Sequence, residues 1–530
     1  MPLFLSAAFA ASLGFALRAA VRWTWKPDGR TWLRAGVAAG LFLVAWGATR
    51  STPLRGGFDD EHDFGCMAVE FFRPLAQAPV DREKSPLLAF WLSDRLSGRS
   101  LDGILAAQKL LWFGSSLLVF GLLLRAGASP PASLLCAGLL LFHHLSILNT
   151  YTFSTTNANV FYLLSALCAL AGLFRESGDA VADLAWFLAA SFLVFTSRYE
   201  FMPVLFFGLA LSAVKSSWPR RLLSERGWRM LAWISCCGAF AAGCCGWTVI
   251  LLRDMRAYGL RTAGTMTLGP MEFARNIRHH LGWNNLTPIL GVTPRSACWL
   301  AGAMLAVVLF VGWRRRDRGP AWPWRIFLAG WIVYVGAIYA PYALYPLHTM
   351  RLHLYFSIPF LLLAGVLADD LFAASRAWPW AAAALVLAAY LPLNARYVRS
   401  LDGELRTNDI EWQFLYRMRR SWPDGCLATY PLADTRRGFL RKYFPFVPME
   451  DISGLGCRLI YRSPYRSVLG RGFQPAAESE DPERFYGGAF QEERFLHRFY
   501  TVWHGPGHEG HSETVEPIPV RVGFYHFLTP

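Results

Sequence analysis

Three stretches of this chain leave few folds open. They are "ILAAQKLLWFGSSLLVFGLLL" at 104–124, "MLAWISCCGAFAAGCCGWTVILL" at 230–252 and "IFLAGWIVYVGAIYAPYALY" at 326–345. A helix needs about 20 mostly apolar residues to cross the hydrocarbon core of a bilayer. Backbone polar groups in lipid must be satisfied within the segment, so a single run of this length crosses as a helix. The rest of the composition agrees, with 54% hydrophobic and only 17% charged residues. A soluble chain is closer to one quarter charged. The chain reads as a polytopic α-helical membrane protein.

A net charge of +15 could suit nucleic acid, but its distribution argues against that partner. The cations gather in short loops between apolar runs, as in "KSSWPRRLLSERGWR" at 215–229 and "RRRDR" at 314–318. Short basic loops of this kind mark the cytoplasmic side. The remaining excess, in 253–296 and the tail, could meet anionic lipid or a phosphate-bearing substrate. The first apolar run, 3–17, is followed rather than preceded by cations (Arg18, Arg22, Lys26, Arg30, Arg34). A cleaved signal peptide has the opposite order, so this run is expected to span with its N-terminus outside.

Alternation then places spans at 35–49, 104–124, 132–150, 158–174, 183–197, 200–214, 230–252, 297–313, 324–342, 352–368 and 378–393. With the first run this makes about 12. The expected domains are a transmembrane region, 1–393, and a polar extracytoplasmic domain, 394–530, of mixed α/β or irregular structure. The polar regions 50–100, 253–296 and 394–530 all face the same outer compartment. No internal repeat is visible. Cys426 and Cys457 lie in the tail and could pair in an oxidising compartment. The cysteines of "CCGAFAAGCC" at 236–245 suit close helix packing better than zinc.

The residues that could carry chemistry are few. "RGGFDDEHDFGCM" opens the first outer loop with Asp59, Asp60, Glu61 and Asp63 around His62. Crowded carboxylates repel one another and need cations, hydrogen bonds or raised pKa values. At a membrane boundary such a carboxylate can be a general base on a hydroxyl or hold a divalent cation. Lys84, in "EKSPLLAFWL", could snorkel to headgroups or neutralise a phosphate. Arg198 and Glu200, in "TSRYEFMP", sit between two apolar runs, where ionisable residues are costly. They either close a turn as a pair or bind a substrate. Arg351 and His353, in "HTMRLHLYFSIP", are outer-side cations that call for a local anion such as a lipid phosphate. His504, His508 and His511 lie close together in a Gly-rich loop with no helical face, which favours a surface loop over a metal site.

Taken in order, these motifs resemble the GT-C polyprenyl-phosphate-sugar glycosyltransferases, in particular the protein O-mannosyltransferases and the bacterial lipid A aminoarabinose transferases. Asp60-Glu61-His62-Asp63-Phe64-Gly65 is similar to their Asp-Glu-x-His-Phe-Gly, with Asp63 where His is common. "KSPLLAFWL" resembles their Lys/His-Pro-Pro-Leu segment, with Ser85 in place of a Pro. Thr196-Ser197-Arg198 resembles a Thr-Lys-Gly turn, and "MRLHLYFSIPFLLLAG" a basic lead into a Pro-containing span. The similarity covers 35–370.

The resemblance implies inverting transfer of a sugar from a polyprenyl-phosphate-linked donor to a lipid, glycan or protein acceptor. Asp60 is then the expected base, with Asp59 or Glu61 positioning the acceptor. Lys84, Arg198, Arg351 and His353 are expected at the donor phosphate. The resemblance fixes no cofactor, and Asp60, Glu61 and Asp63 are the residues that could hold a Mg²⁺ or Mn²⁺ ion. The expected location is a bacterial inner membrane, with the site facing the periplasm. A transporter or flippase of a lipid-linked substrate is the alternative from another class. It would place charges near the midplane within inverted repeats. A surface-polysaccharide ligase or polymerase would lean on a late outer loop instead.

Overall fold

The computed structural model describes residues 2–24, 36, 39–40, 43–47, 85–96, 101–150, 155–175, 179–258, 322–339, 350–372 and 378–394. In the tail it describes 427–430, 459–462, 465–467, 473–475, 487–501 and 512–526. The described residues form a helical unit up to Asn394 and a separate unit of strands from Leu427.

The helical unit opens with α1 (Pro2–Thr24), α2 (Ser85–Leu96) and α3 (Leu101–Arg125). The helix α3 ends where Gly127 takes a φ of 94°, a conformation that glycine adopts without a Cβ penalty. Pro130 then starts α4 (Pro130–Leu141), followed by the short α5 (His144–Leu148). Next come α6 (Thr156–Phe174), α7 (Ala180–Phe195), a 3₁₀ turn at Tyr199–Phe201 and α8 (Met202–Lys215). The chain continues through α9 (Trp218–Ser224), α10 (Trp228–Tyr258), α11 (Trp322–Tyr339) and α12 (Met350–Phe372). The last apolar helix, α13, is Trp378–Asn394.

Among the described residues three helical segments are long and apolar enough to cross a membrane: Ala106–Arg125, Thr156–Phe174 and Trp228–Ile250. The pair α8–α9 passes the same test only when its two parts, bent 78° from one another, are counted together. Other apolar helices, α4, α7 and α13 among them, are shorter. The expected span at 297–313 lies outside the described residues. The expected span at 132–150 is not continuous. It breaks after Leu141, and the buried imidazole of His143 caps α5 by accepting a hydrogen bond from Leu145 N at 3.2 Å. Apolar residues flank the His143–His144 pair on both sides, so hydropathy averaged over the whole run does not reveal the break.

The helix α6 is the centre of the unit, with 94% of its length buried, against 11% for the span in α10. It has no charged side chain and packs on α3, α7 and α8. Ser165 links it to two neighbouring helices through its hydroxyl. Ser165 accepts from Trp186 Nε1 at 2.7 Å and bonds to Ser12 Oγ at 2.9 Å. Such bonds join helices where hydrophobic contrast with lipid cannot.

In the tail, β1 (Leu427–Tyr430), β2 (Leu459–Arg462), β5 (Gly487–Thr501) and β6 (Ser512–His526) form a sheet of order β1-β2-β6-β5. The β1–β2 pairing is parallel and the others are antiparallel. Two short strands, β3 (Tyr465–Ser467) and β4 (Phe473–Pro475), pair with each other. The β5–β6 register runs from Gly487↔His526 to Thr501↔Ser512. Only Val522–Phe524 of β6 also pair with β2.

Candidate functional site

The α7–α8 turn begins with helix termination. At the end of α7, Ser197 N donates to Val194 O at 3.1 Å and Arg198 N donates to the same oxygen at 2.6 Å. Arg198 then leaves helical geometry at φ −131°, ψ 66°. Tyr199–Phe201 form a single 3₁₀ turn, and Pro203 opens α8 where its missing N–H costs nothing. The turn therefore presents Thr196, Ser197, Arg198 and Glu200 at one end of the bundle.

Ser85 holds α2 to this turn. Its hydroxyl donates to Leu193 O at 2.8 Å and is hydrogen-bonded to the Thr196 hydroxyl. Tyr162 Oη, from α6, donates to Ser85 O at 3.0 Å. Ser85 and Tyr162 are completely buried and Thr196 nearly so. The apparent departure at Ser85 thus supplies a hydroxyl that a Pro could not, and ties the first residue of α2 to Leu193 and to Thr196, the residue that caps α7.

The other side of the turn meets α11 and α12. The Arg198 guanidinium lies 5.6 Å from the centroid of the buried Tyr355 ring, within cation–π range. Its Nη1 is 3.3 Å from Glu200 Oε1, with the two side chains 20% and 21% exposed. Phe201 packs on the same ring at 5.2 Å. Tyr334 Oη, from α11, donates to Glu200 O at 2.6 Å. Arg351 and His353 lie in the first turn of α12, four and two residues before Tyr355. Positions four apart on a helix share a face, which places Arg351 one turn before the residue that carries Arg198.

Of the sequence candidates, Arg198 and Glu200 are among the described residues, and the backbone positions of Arg351 and His353 are described. Lys84 lies outside the described residues, immediately before Ser85 in the chain. Asp59, Asp60, Glu61 and Asp63 also lie outside them, as do Cys426, Cys457, His504, His508 and His511. Among the described residues no group of three or more His, Cys, Asp or Glu could hold a metal ion.

Sequence reasoning missed Tyr355, Tyr334 and Tyr162. The spacing of Arg351 and Tyr355 was the one available signal. It also missed a buried polar cluster at the α4–α5 break. There the Asn394 side-chain oxygen accepts from His144 N at 3.2 Å and lies 3.1 Å from His144 Nδ1. Asn394 Nδ2 donates to Tyr390 O at 3.0 Å, and the His143 and His144 rings stack at 4.7 Å.

No protein-family profile matches the chain, and no curated protein matches it. Among solved structures it is similar to ArnT from Cupriavidus metallidurans in the apo state. That match has 13% identity, covers 79% of this chain and 86% of that one, and has a TM-score of 0.46. It is also similar to the same protein bound to undecaprenyl phosphate, with 14% identity, 80% and 87% coverage and a TM-score of 0.48. The arabinofuranosyltransferase AftD from Mycobacteria matches at 15% identity and a TM-score of 0.46, over 94% of this chain but 42% of that one.

Proposed function

We propose that this chain is an integral membrane glycosyltransferase that moves a sugar from a polyprenyl-phosphate donor to an extracytoplasmic acceptor with inversion. The observation that carries this reading is the place of Arg198. Three stretches far apart in sequence meet at its turn: Ser85, which follows Lys84; Thr196–Glu200; and Tyr355, one turn after Arg351. Each stretch brings a cation or stands next to one. A guanidinium standing against an aromatic ring at the end of an apolar bundle suits an anionic group carried on a lipid. A guanidinium can meet two phosphate oxygens at once.

In the reaction the acceptor hydroxyl oxygen bonds to the anomeric carbon. The bond from that carbon to the phosphate oxygen breaks, and the phosphate leaves with the electron pair. The hydroxyl proton passes to the Asp60 carboxylate, with Asp59 or Glu61 orienting the acceptor. Lys84, Arg198, Arg351 and His353 offset the charge that grows on the phosphate. Loss of a general base costs about 10²–10⁴-fold in rate. Asp60→Asn should therefore remove transfer from a radiolabelled polyprenyl-phosphate sugar while leaving membrane insertion and thermal unfolding unchanged. Full activity in that variant would overturn the assignment of the base.

A further inference from the structure

The opposite end of the helical unit carries a surface that the sugar-transfer reading does not use. Between Lys215 and Arg229 the chain has five cations and a single carboxylate, Glu225. Two of the cations act as internal staples. Arg229 bonds Asp179 at 2.8 Å and Glu225 at 2.9 Å, and Arg221 Nη2 donates to Arg175 O at 3.3 Å. The other three, Lys215, Arg220 and Arg226, are exposed and make no ion pair among the described residues.

This corner is built. The helix α9 turns 78° away from the span that precedes it. Trp218 and Leu222 are buried beneath it, and Trp218 Nε1 donates to Ser212 Oγ at 3.1 Å. Ser216 Oγ donates to Leu173 O at 2.9 Å, and Gly227, at φ 63°, turns the chain back into α10. On the outer side Leu223 and Trp228 are 77% and 74% exposed. A helix bent this far from a span lies close to the bilayer plane. There, exposed Leu and Trp beside exposed Arg and Lys match the boundary between acyl chains and headgroups.

We infer that the α8–α9–α10 corner binds the headgroups of anionic phospholipids, with Lys215, Arg220 and Arg226 on the phosphates and Leu223 and Trp228 in the acyl region. Charge complementarity commits it to this occupant. Zwitterionic headgroups bring no net charge, and the exposed apolar side chains exclude a purely aqueous ligand. Each cation near an anionic surface is worth about fivefold in binding, so the three together are worth about a hundredfold.

The test uses the full-length protein in a neutral detergent, titrated with phosphatidylglycerol or phosphatidylcholine and followed by its unfolding midpoint. Phosphatidylglycerol is expected to raise the midpoint at concentrations where phosphatidylcholine does not, with an effect that shrinks in high salt. The variant K215Q/R220Q/R226Q should keep the wild-type midpoint in phosphatidylcholine and need about a hundredfold more phosphatidylglycerol for the same rise. If the triple variant does not purify, R220Q and R226Q alone should each need about fivefold more. Equal responses to the two lipids, an undiminished response in the variants, or full replacement of the effect by inorganic phosphate would each overturn the inference.

Discussion

Two arginine–carboxylate pairs stand at opposite ends of α7, and they are built differently. Arg125 and Asp183 are 58 residues apart in sequence and 2.9 Å apart in space, 18% and 9% exposed. Arg125 also donates to Cys168 O at 3.0 Å and lies over the Trp186 ring at 5.4 Å. One guanidinium thus ties α3, α6 and α7 together. Arg198 and Glu200 are neighbours within one turn, 3.3 Å apart and about equally exposed. Their links to other helices run through the Tyr355 ring and through Tyr334, which binds a backbone oxygen rather than a carboxylate. The first arrangement commits its charge to holding helices. The second keeps a guanidinium on an aromatic platform beside a carboxylate of its own turn.

The largest effects should separate the two pairs. Arg125→Ala leaves Asp183 buried without its cation and should cost about 3–5 kcal/mol of stability. This would be read as a lower unfolding midpoint, with transfer per folded molecule unchanged. Arg198→Ala should lower kcat/KM for the lipid donor by about 10²–10³-fold and leave the unfolding midpoint near wild type. The contrast breaks if Arg198→Ala unfolds the protein or Arg125→Ala abolishes transfer at full stability. A smaller effect is expected from Ser85→Ala. Deleting its buried hydroxyl should cost about 1–3 kcal/mol and, by loosening α2 from α7, raise KM for the donor more than it lowers kcat. The smallest concerns Glu200→Gln. Removing the competing carboxylate should tighten binding of polyprenyl phosphate by up to about fivefold, measured by isothermal titration. Weaker binding would make Glu200 the group that orients Arg198 instead.

Some of this was legible in the chain and some was not. Arg198 stood out because an ionisable residue between apolar runs is costly, and the acidic loop stood out against an oily background. Ser85 looked like the loss of a proline, because a hydroxyl's partner at Leu193 and Thr196 lies more than a hundred residues away. The break at His143 hid in a run that reads as apolar only on average. The Arg125–Asp183 pair had no signal, since nothing along the chain tells one basic residue near a helix end from another. The three exposed cations of the α9 corner were read only as a topological mark.

By itself the sequence determined that the chain builds apolar helices and which short segments concentrate charge, because transfer into lipid is summed residue by residue along the run. Which charges meet was decided by tertiary structure. Arg125 finds Asp183, Ser85 finds Thr196 and Arg198 finds Tyr355 only once α6 has organised its neighbours. A hydrogen bond or ion pair depends on distances of a few ångströms between distant residues, and packing alone sets those distances.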